Sequence, residues 1–164
     1  MTRMILSLGI GLLLTVGTAW AGPLEDATTA NTRGDYATAL KTFQSLAAQG
    51  NAEAQNNLGE LHAKGQGVPQ DYSQARQWYE KAAAHGHALA QNNLAELYFA
   101  GLGVPQDYVR AYMWVSLAAV HMKGDEQKQA EENRNDVAGR MTPEQLAEAK
   151  RLTQQCMALK FKDC

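Results

Sequence analysis

A segment of 36 residues occurs twice in succession, and this repeat restricts what the chain can fold into. Residues 52–87 align with residues 88–123 without a gap, and 20 of the 36 positions are identical. Asp-Tyr pairs begin at Asp35, Asp71 and Asp107, which extends the same spacing towards the N-terminus. A period in the thirties is typical of stacked helical hairpins, in which each unit buries its apolar face against its neighbours. We therefore predict a helical array.

Each repeat predicts two helices joined by a short turn. In the first unit, residues 52–64 carry apolar or small side chains at helical spacing, and Gly65 can end that helix in the left-handed conformation. Asp71 then caps the second helix. The chain is rich in alanine and poor in β-branched residues, which agrees with an all-α fold. Small residues are predicted to let the two helices approach closely: Gly59, Ala75 and Ala82.

Shorter units flank the two repeats. Residues 22–51 predict an incomplete leading repeat, and residues 124–164 predict a C-terminal cap made of a polar helix and a final helix. Thr142 begins the final helix as a capping residue followed by proline. Polar terminal helices keep an open array soluble. About seven helices are expected.

The first 21 residues have the pattern of a secretory signal peptide. Arg3 precedes an apolar run from Met4 to about Val16, and small residues at Ala19 and Ala21 provide a cleavage site. The run is shorter than the roughly 20 apolar residues of a membrane span, which argues against an uncleaved anchor. Cleavage after Ala21 would place the protein in the periplasm or outside the cell, with no stable membrane insertion.

Both cysteines, Cys156 and Cys164, lie close to the C-terminus. In an exported protein such a pair indicates a disulfide bond. Eight residues of helix would separate the two Cα atoms by about 12 Å, whereas a disulfide needs about 4.4–6.8 Å. The helix that carries Cys156 is therefore predicted to end near Lys160, so that the tail folds back. A zinc site is the alternative, although no cysteine or histidine partner lies nearby in the sequence.

The repeat motif resembles that of the Sel1-like repeat family, which is related to tetratricopeptide repeats. The resemblance rests on AQNNLGELHAKGQGVPQDYSQARQWYEKAAAHGH; it is specific across residues 52–123, looser for 33–51, and extends as a terminal cap over 124–164. It implies a right-handed α/α superhelix of about two and a half hairpins with a C-terminal capping helix. Such a superhelix would serve as a non-enzymatic scaffold or adaptor for a protein partner.

Some exported relatives are cysteine-rich proteins that bind β-lactams, which provides an alternative function. On that alternative the protein would bind a small molecule or the cell wall in the periplasm, or act as a weak hydrolase. This chain lacks the pattern of one disulfide per repeat that those relatives show.

The sequence contains no motif that indicates catalysis or a cofactor. The patterns Ser-x-x-Lys, Gly-x-Ser-x-Gly and His-Glu-x-x-His of serine and zinc hydrolases do not occur. His85 and His87 could form half of a metal site, but the repeats do not keep a histidine at the position of His87. A net charge of −2 does not favour nucleic acid as a partner. We expect no catalytic residue, metal or cofactor.

If the first helix of each unit lines the concave face, as the resemblance implies, helical periodicity selects the residues that point into it. Glu60, Glu96 and Glu132 would then form a row at the repeat spacing, which suits a basic or extended peptide. Phe99 could anchor an apolar side chain. A solvated face kept polar for solubility is the alternative. The predicted partner-binding residues are Glu53, Asn56, Glu60, Leu89, Asn92, Glu96, Phe99, Lys128 and Glu132, with Lys64 also facing inward.

Overall fold

The computed structural model describes residues 22–162 and Cys164, and over that part the chain forms helices and no strands. Eight helices follow one another: α1 (Pro23–Thr32), α2 (Tyr36–Ala48), α3 (Ala52–Lys64), α4 (Tyr72–Ala84), α5 (Ala88–Ala100), α6 (Tyr108–His121), α7 (Gly124–Ala138) and α8 (Pro143–Ala158). The expected number was about seven, and the described residues form eight. The predicted signal peptide, residues 1–21, lies outside the described residues. Among the described helices, none has the length and apolar character needed to cross a bilayer.

Successive helices pack into hairpins that stack in chain order, as expected for a helical repeat superhelix. Helix α2 packs on α3 and α4 packs on α5, so each hairpin rests on the next. The N-terminal part of the core centres on Phe43, Leu58 and Leu61, and the larger remainder extends from Tyr79 in α4 to Cys156 in α8. Helices α7 and α8 both pack against α6 and close the C-terminal end of the array.

The repeated turn residues form the helix ends that the sequence predicts. Asp35, Asp71 and Asp107 are the N-cap residues of α2, α4 and α6, and each carboxylate accepts a hydrogen bond from a backbone N–H of the first turn. Gly65 and Gly101 end α3 and α5 with φ angles of 67° and 69°, in the left-handed region that glycine adopts without strain. These local predictions are confirmed.

The repeated glutamines of the first helices join each hairpin to the one before it. The buried amide of Gln55 donates to the carbonyl of Ala47 at 3.2 Å, and the buried amide of Gln91 donates to that of Ala83 at 3.3 Å. Both carbonyls belong to the last turn of the preceding helix, and each also accepts a hydrogen bond from the backbone N–H of a turn glycine, Gly50 or Gly86. The identity of this glutamine in both repeats therefore has a structural explanation.

Within a hairpin, one small residue sets how closely the two helices approach. Tyr79 of α4 packs directly on Gly59 of α3, and a Cβ atom added to Gly59 would lie 2.4 Å from Cε1 of Tyr79. In the next repeat the equivalent positions hold Ala95 and Val115. In the second repeat, therefore, alanine replaces glycine on the first helix and the smaller valine replaces tyrosine on the second.

The C-terminal tail folds back through the predicted disulfide. The Sγ atoms of Cys156 and Cys164 are bonded, and their Cα atoms are 5.3 Å apart. Helix α8 ends at Ala158, and the following Lys160 and Phe161 adopt positive φ angles of 52° and 66°, which reverse the chain. The ring of Phe161 then packs edge-on against His121 at the end of α6, with ring centroids 5.2 Å apart.

Candidate functional site

The first helices of successive units leave two grooves on one face of the array, which we call the groove face. The first groove lies between α3 and α5 over α4, and the second lies between α5 and α7 over α6; their volumes are about 300 and 330 Å³. The first groove is lined by Glu60, Ala63, Lys64, Tyr72, Tyr79, Asn93, Glu96, Leu97 and Leu102. The second groove is lined by Asn92, Ala95, Glu96, Phe99, Val115, Asn133, Asp136 and Val137.

The two grooves are built from equivalent repeat positions but differ in the side chain that the second helix of the hairpin contributes. Tyr79 lines the first groove from α4, and Val115, 36 residues later, lines the second groove from α6. Val137 and Phe99 add further apolar surface to the second groove. Leu97 and Leu102 provide apolar surface in the first groove, so both grooves can contact an apolar side chain or the alkyl stem of a long one.

Three carboxylates line the grooves, and two of them already have a cationic partner within the chain. Lys64 Nζ lies 2.7 Å from Glu60 Oε2 in the first groove, and Arg140 Nε lies 3.5 Å from Asp136 Oδ2 beside the second. Glu96 lines both grooves and is exposed, and within the described part of the chain it forms no ion pair or side-chain hydrogen bond. The negative charge of Glu96 is thus left for solvent or a ligand.

The buried phenol of Tyr79 responds to these carboxylates. Burial raises the pKa of Tyr79 above its ordinary value, and the negative charges of Glu60 and Glu96 raise that pKa further. Tyr79 consequently stays neutral at physiological pH.

Four of the nine predicted partner-binding residues line a groove. They are Glu60, Asn92, Glu96 and Phe99. Glu53 and Leu89 are exposed but lie at the beginning of α3 and α5, and neither lines a groove. Helical periodicity selects the side of the helix that carries these four residues, but it does not tell how far along that side the grooves extend.

The expectation that Asn56 faces an open surface is wrong. Its side chain is only 2% exposed, because it bridges two neighbouring first helices. The Asn56 amide donates to Glu60 at 3.1 Å, and its carbonyl oxygen accepts from Asn93 of α5 at 3.0 Å. The equivalent Asn92 is partly exposed and lines the second groove. The same residue type therefore has different surroundings in the two repeats.

The predicted contribution of α7 also requires correction. Lys128 and Glu132 are exposed and line neither groove, whereas Asn133, Asp136 and Val137 line the second. The reason is that Val137 occupies the repeat position of Gly65 and Gly101, the glycines that end α3 and α5. Without that glycine, α7 continues to Ala138 and buries Val137, so its last two turns form the groove wall. The apolar residue at the glycine position was the sequence signal that could have indicated this.

His87, considered above as half of a metal site, is the N-cap residue of α5. Its Nδ1 accepts a hydrogen bond from the backbone N–H of Ala90 at 3.3 Å, as Asn51 does for Ala54 in the first repeat. Burial lowers the pKa of His87, which favours the neutral form that this bond requires. Among the described residues, no three His, Cys, Asp or Glu side chains lie close enough together to hold a metal ion.

Comparisons with known proteins agree with this architecture. The Sel1 repeat family model matches residues 52–87 and 88–119. A search of curated proteins returned no match.

Two solved structures resemble most of the chain. The first, c5321 of uropathogenic Escherichia coli, is described as a protective antigen with an SLR fold; it is 35% identical with a TM-score of 0.75, and the match covers 81% of this chain and 28% of that one. The second, a Sel1 repeat protein of Oxalobacter formigenes, is 33% identical with a TM-score of 0.62, covering 68% of this chain and 44% of that one. The chain thus spans less than half the length of either relative. With its two matched repeats and its all-helical fold, the chain is a Sel1-like repeat protein.

Proposed function

We propose that this protein is an exported, non-enzymatic scaffold that binds an extended segment of a partner protein along its groove face. Sel1 repeats commonly act as scaffolds for protein–protein interaction. The observation that carries the proposal is that two grooves adjoin on one face and share the carboxylate of Glu96. A continuous pair of shallow grooves fits a peptide better than a compact small molecule, which needs enclosure on most sides.

The polar residues of the groove face favour a peptide backbone as the ligand. Asn92 and Asn133 line the second groove, and Asn93 lines the first. A side-chain amide can donate to a peptide carbonyl and accept from a peptide N–H, so these positions can hold an extended chain in register. Apolar surface at Phe99 and Val115 is available for a side chain of that peptide.

Three observations support export. Residues 1–21 have the pattern of a signal peptide, and the Cys156–Cys164 disulfide persists in oxidising compartments. The similar protein c5321 is described as a protective antigen, which fits a location outside the cytoplasm. We place the protein in the periplasm or outside the cell. The proposed organisation is a signal peptide over 1–21, a leading repeat over 22–51, repeats over 52–87 and 88–123, and a cap over 124–164.

A pair of substitutions on α7 tests whether the second groove binds the partner. Gln129 and Asn133 are both exposed and share one hydrogen bond of 3.1 Å, but only Asn133 lines the groove. Asn133→Trp and Gln129→Trp therefore lose the same bond, and only the first fills the groove. The purified protein and both variants would be used as bait in an extract of the cell envelope.

We expect a protein retained by the native bait and by Gln129→Trp but not by Asn133→Trp. Equal retention by all three baits would contradict the proposal. Covalent labelling by a β-lactam probe, blocked by Asn133→Trp, would instead support the small-molecule or cell-wall alternative.

A further inference from the structure

The two repeats differ in one charged residue at the edge of the groove face. In the first repeat, Lys64 lines the first groove and places its ammonium group on Glu60. The position 36 residues later is occupied by Ala100, the last residue of α5, which is exposed. Glu96, the equivalent of Glu60, consequently lacks the internal cation that its counterpart has.

The first groove thus shows how a lysine side chain is accommodated on this face. Lys64 lines the groove, and its ammonium group pairs with Glu60, one turn earlier on the same helix. The second groove has the equivalent carboxylate, Glu96, but among the described residues no cationic side chain pairs with it. Its walls include Val115, Val137 and Phe99, and Glu96 lies at its edge.

The second groove also tolerates a guanidinium group. Arg140 lies over the ring of Phe99, 4.9 Å from its centroid, while it pairs with Asp136. Because Asp136 and Arg140 neutralise each other, the net charge of this groove comes from Glu96. Charge complementarity therefore favours a cationic occupant.

We propose that the second groove selects a partner segment through a lysine or arginine side chain, which takes the place of the absent equivalent of Lys64 and pairs with Glu96. This inference rests on the proposed function, because it specifies the segment that the groove face binds. Apolar contact with Val115 and Val137 would hold the stem of that side chain, and Glu96 would provide the charge selectivity.

Selection from a displayed library of random peptides tests the inference directly. The full-length protein would be the target. Peptides that bind the wild type but not the Asn133→Trp variant would be kept as binders of the second groove. Their affinities would then be measured for the wild type, Glu96→Gln, Ala100→Lys and, as a control, Glu126→Gln, because Glu126 is exposed on α7 and lines neither groove. Ala100→Lys is a mild change, since position 100 is exposed and lysine is a good helix former.

We expect lysine or arginine at one fixed position of the selected peptides. Glu96→Gln and Ala100→Lys should each weaken binding by about three- to tenfold, the second because its new ammonium group pairs with Glu96 internally. Glu126→Gln, which removes the same charge away from the grooves, should leave the binding of these peptides unchanged. Raising the salt concentration should weaken binding to the wild type more than binding to Glu96→Gln.

Two results would overturn the inference in different ways. Groove-dependent peptides without a conserved basic residue, or with affinities unaffected by Glu96→Gln, would refute the charge selectivity and leave the scaffold proposal intact. If every selected peptide bound the Asn133→Trp variant as well as the wild type, both the inference and the proposed peptide-binding function would fail.

Discussion

Adding one methyl group at Gly59 should destabilise the protein, even though alanine is the better helix former. The new Cβ would lie 2.4 and 2.5 Å from two ring carbons of Tyr79, whereas carbon atoms normally approach to about 3.5–4.0 Å. Tyr79 is only 3% exposed, so its ring cannot move out into solvent. Overpacking of this kind costs about 1–3 kcal/mol, and the gain in helix propensity offsets about 1 kcal/mol. We expect a net loss of up to about 2 kcal/mol.

The second repeat provides the compensating substitution. There the equivalent pair is Ala95 and Val115, so Tyr79→Val should remove the steric conflict created by Gly59→Ala. In the Tyr79→Val background, Gly59→Ala should stabilise the protein by up to about 1 kcal/mol through helix propensity alone. Urea unfolding of the wild type, both single variants and the double variant, followed by circular dichroism, completes the cycle.

The decisive result is whether the effect of Gly59→Ala on stability changes sign when Tyr79 is replaced by valine. If Gly59→Ala changes stability by the same amount with Tyr79 and with Val at position 79, the two positions do not interact. That outcome would refute the claim that Gly59 sets the distance between α3 and α4.

Three further predictions concern residues away from this contact. Because the pKa of His87 is lowered in the folded state, its contribution to stability is complete above its ordinary pKa near 6.5 and is lost as the pH falls through the lowered value; His87→Asn should remove this dependence in unfolding curves measured across pH. Replacing Cys156 and Cys164 by serine should lower the free energy of unfolding by about 2.5 kcal/mol, and a reductant should affect only the wild type. Asn56→Ala should cost about 1–3 kcal/mol because it breaks a buried bridge, whereas Asn92→Ala, at the equivalent exposed position, should have little effect in the same assay.

The local structure could be predicted because its causes are short-range. An aspartate three residues before a free backbone N–H, or a glycine after a helical run, determines a helix end almost regardless of what surrounds it. Gly65, Asp71 and Thr142 therefore have the roles that the sequence indicated. The end of α8 was predictable from the expected disulfide, because eight residues can bring two cysteines together only if the helix between them ends.

The groove face was harder to predict because it depends on contacts between units. The burial of Asn56 follows from its bond to Asn93 on the next first helix, and no periodicity within α3 reveals that partner. The groove wall on α7 depends on Val137, which extends a helix that glycine ends in the other units. A repeat predicts equivalent positions, but each unit's surroundings differ at the ends of the array.

The central claim is that the groove face binds a protein partner, and nuclear magnetic resonance of the isotope-labelled protein tests it most directly. The partner retained by the bait would be titrated in while the side-chain amide signals of Asn92, Asn93 and Asn133 are followed, together with that of Gln77, which is exposed on α4 and lines neither groove. The account predicts that the three asparagine signals shift and that the Gln77 signal does not. A shift of Gln77 with unchanged asparagine signals would contradict it, because binding would then occur away from the grooves.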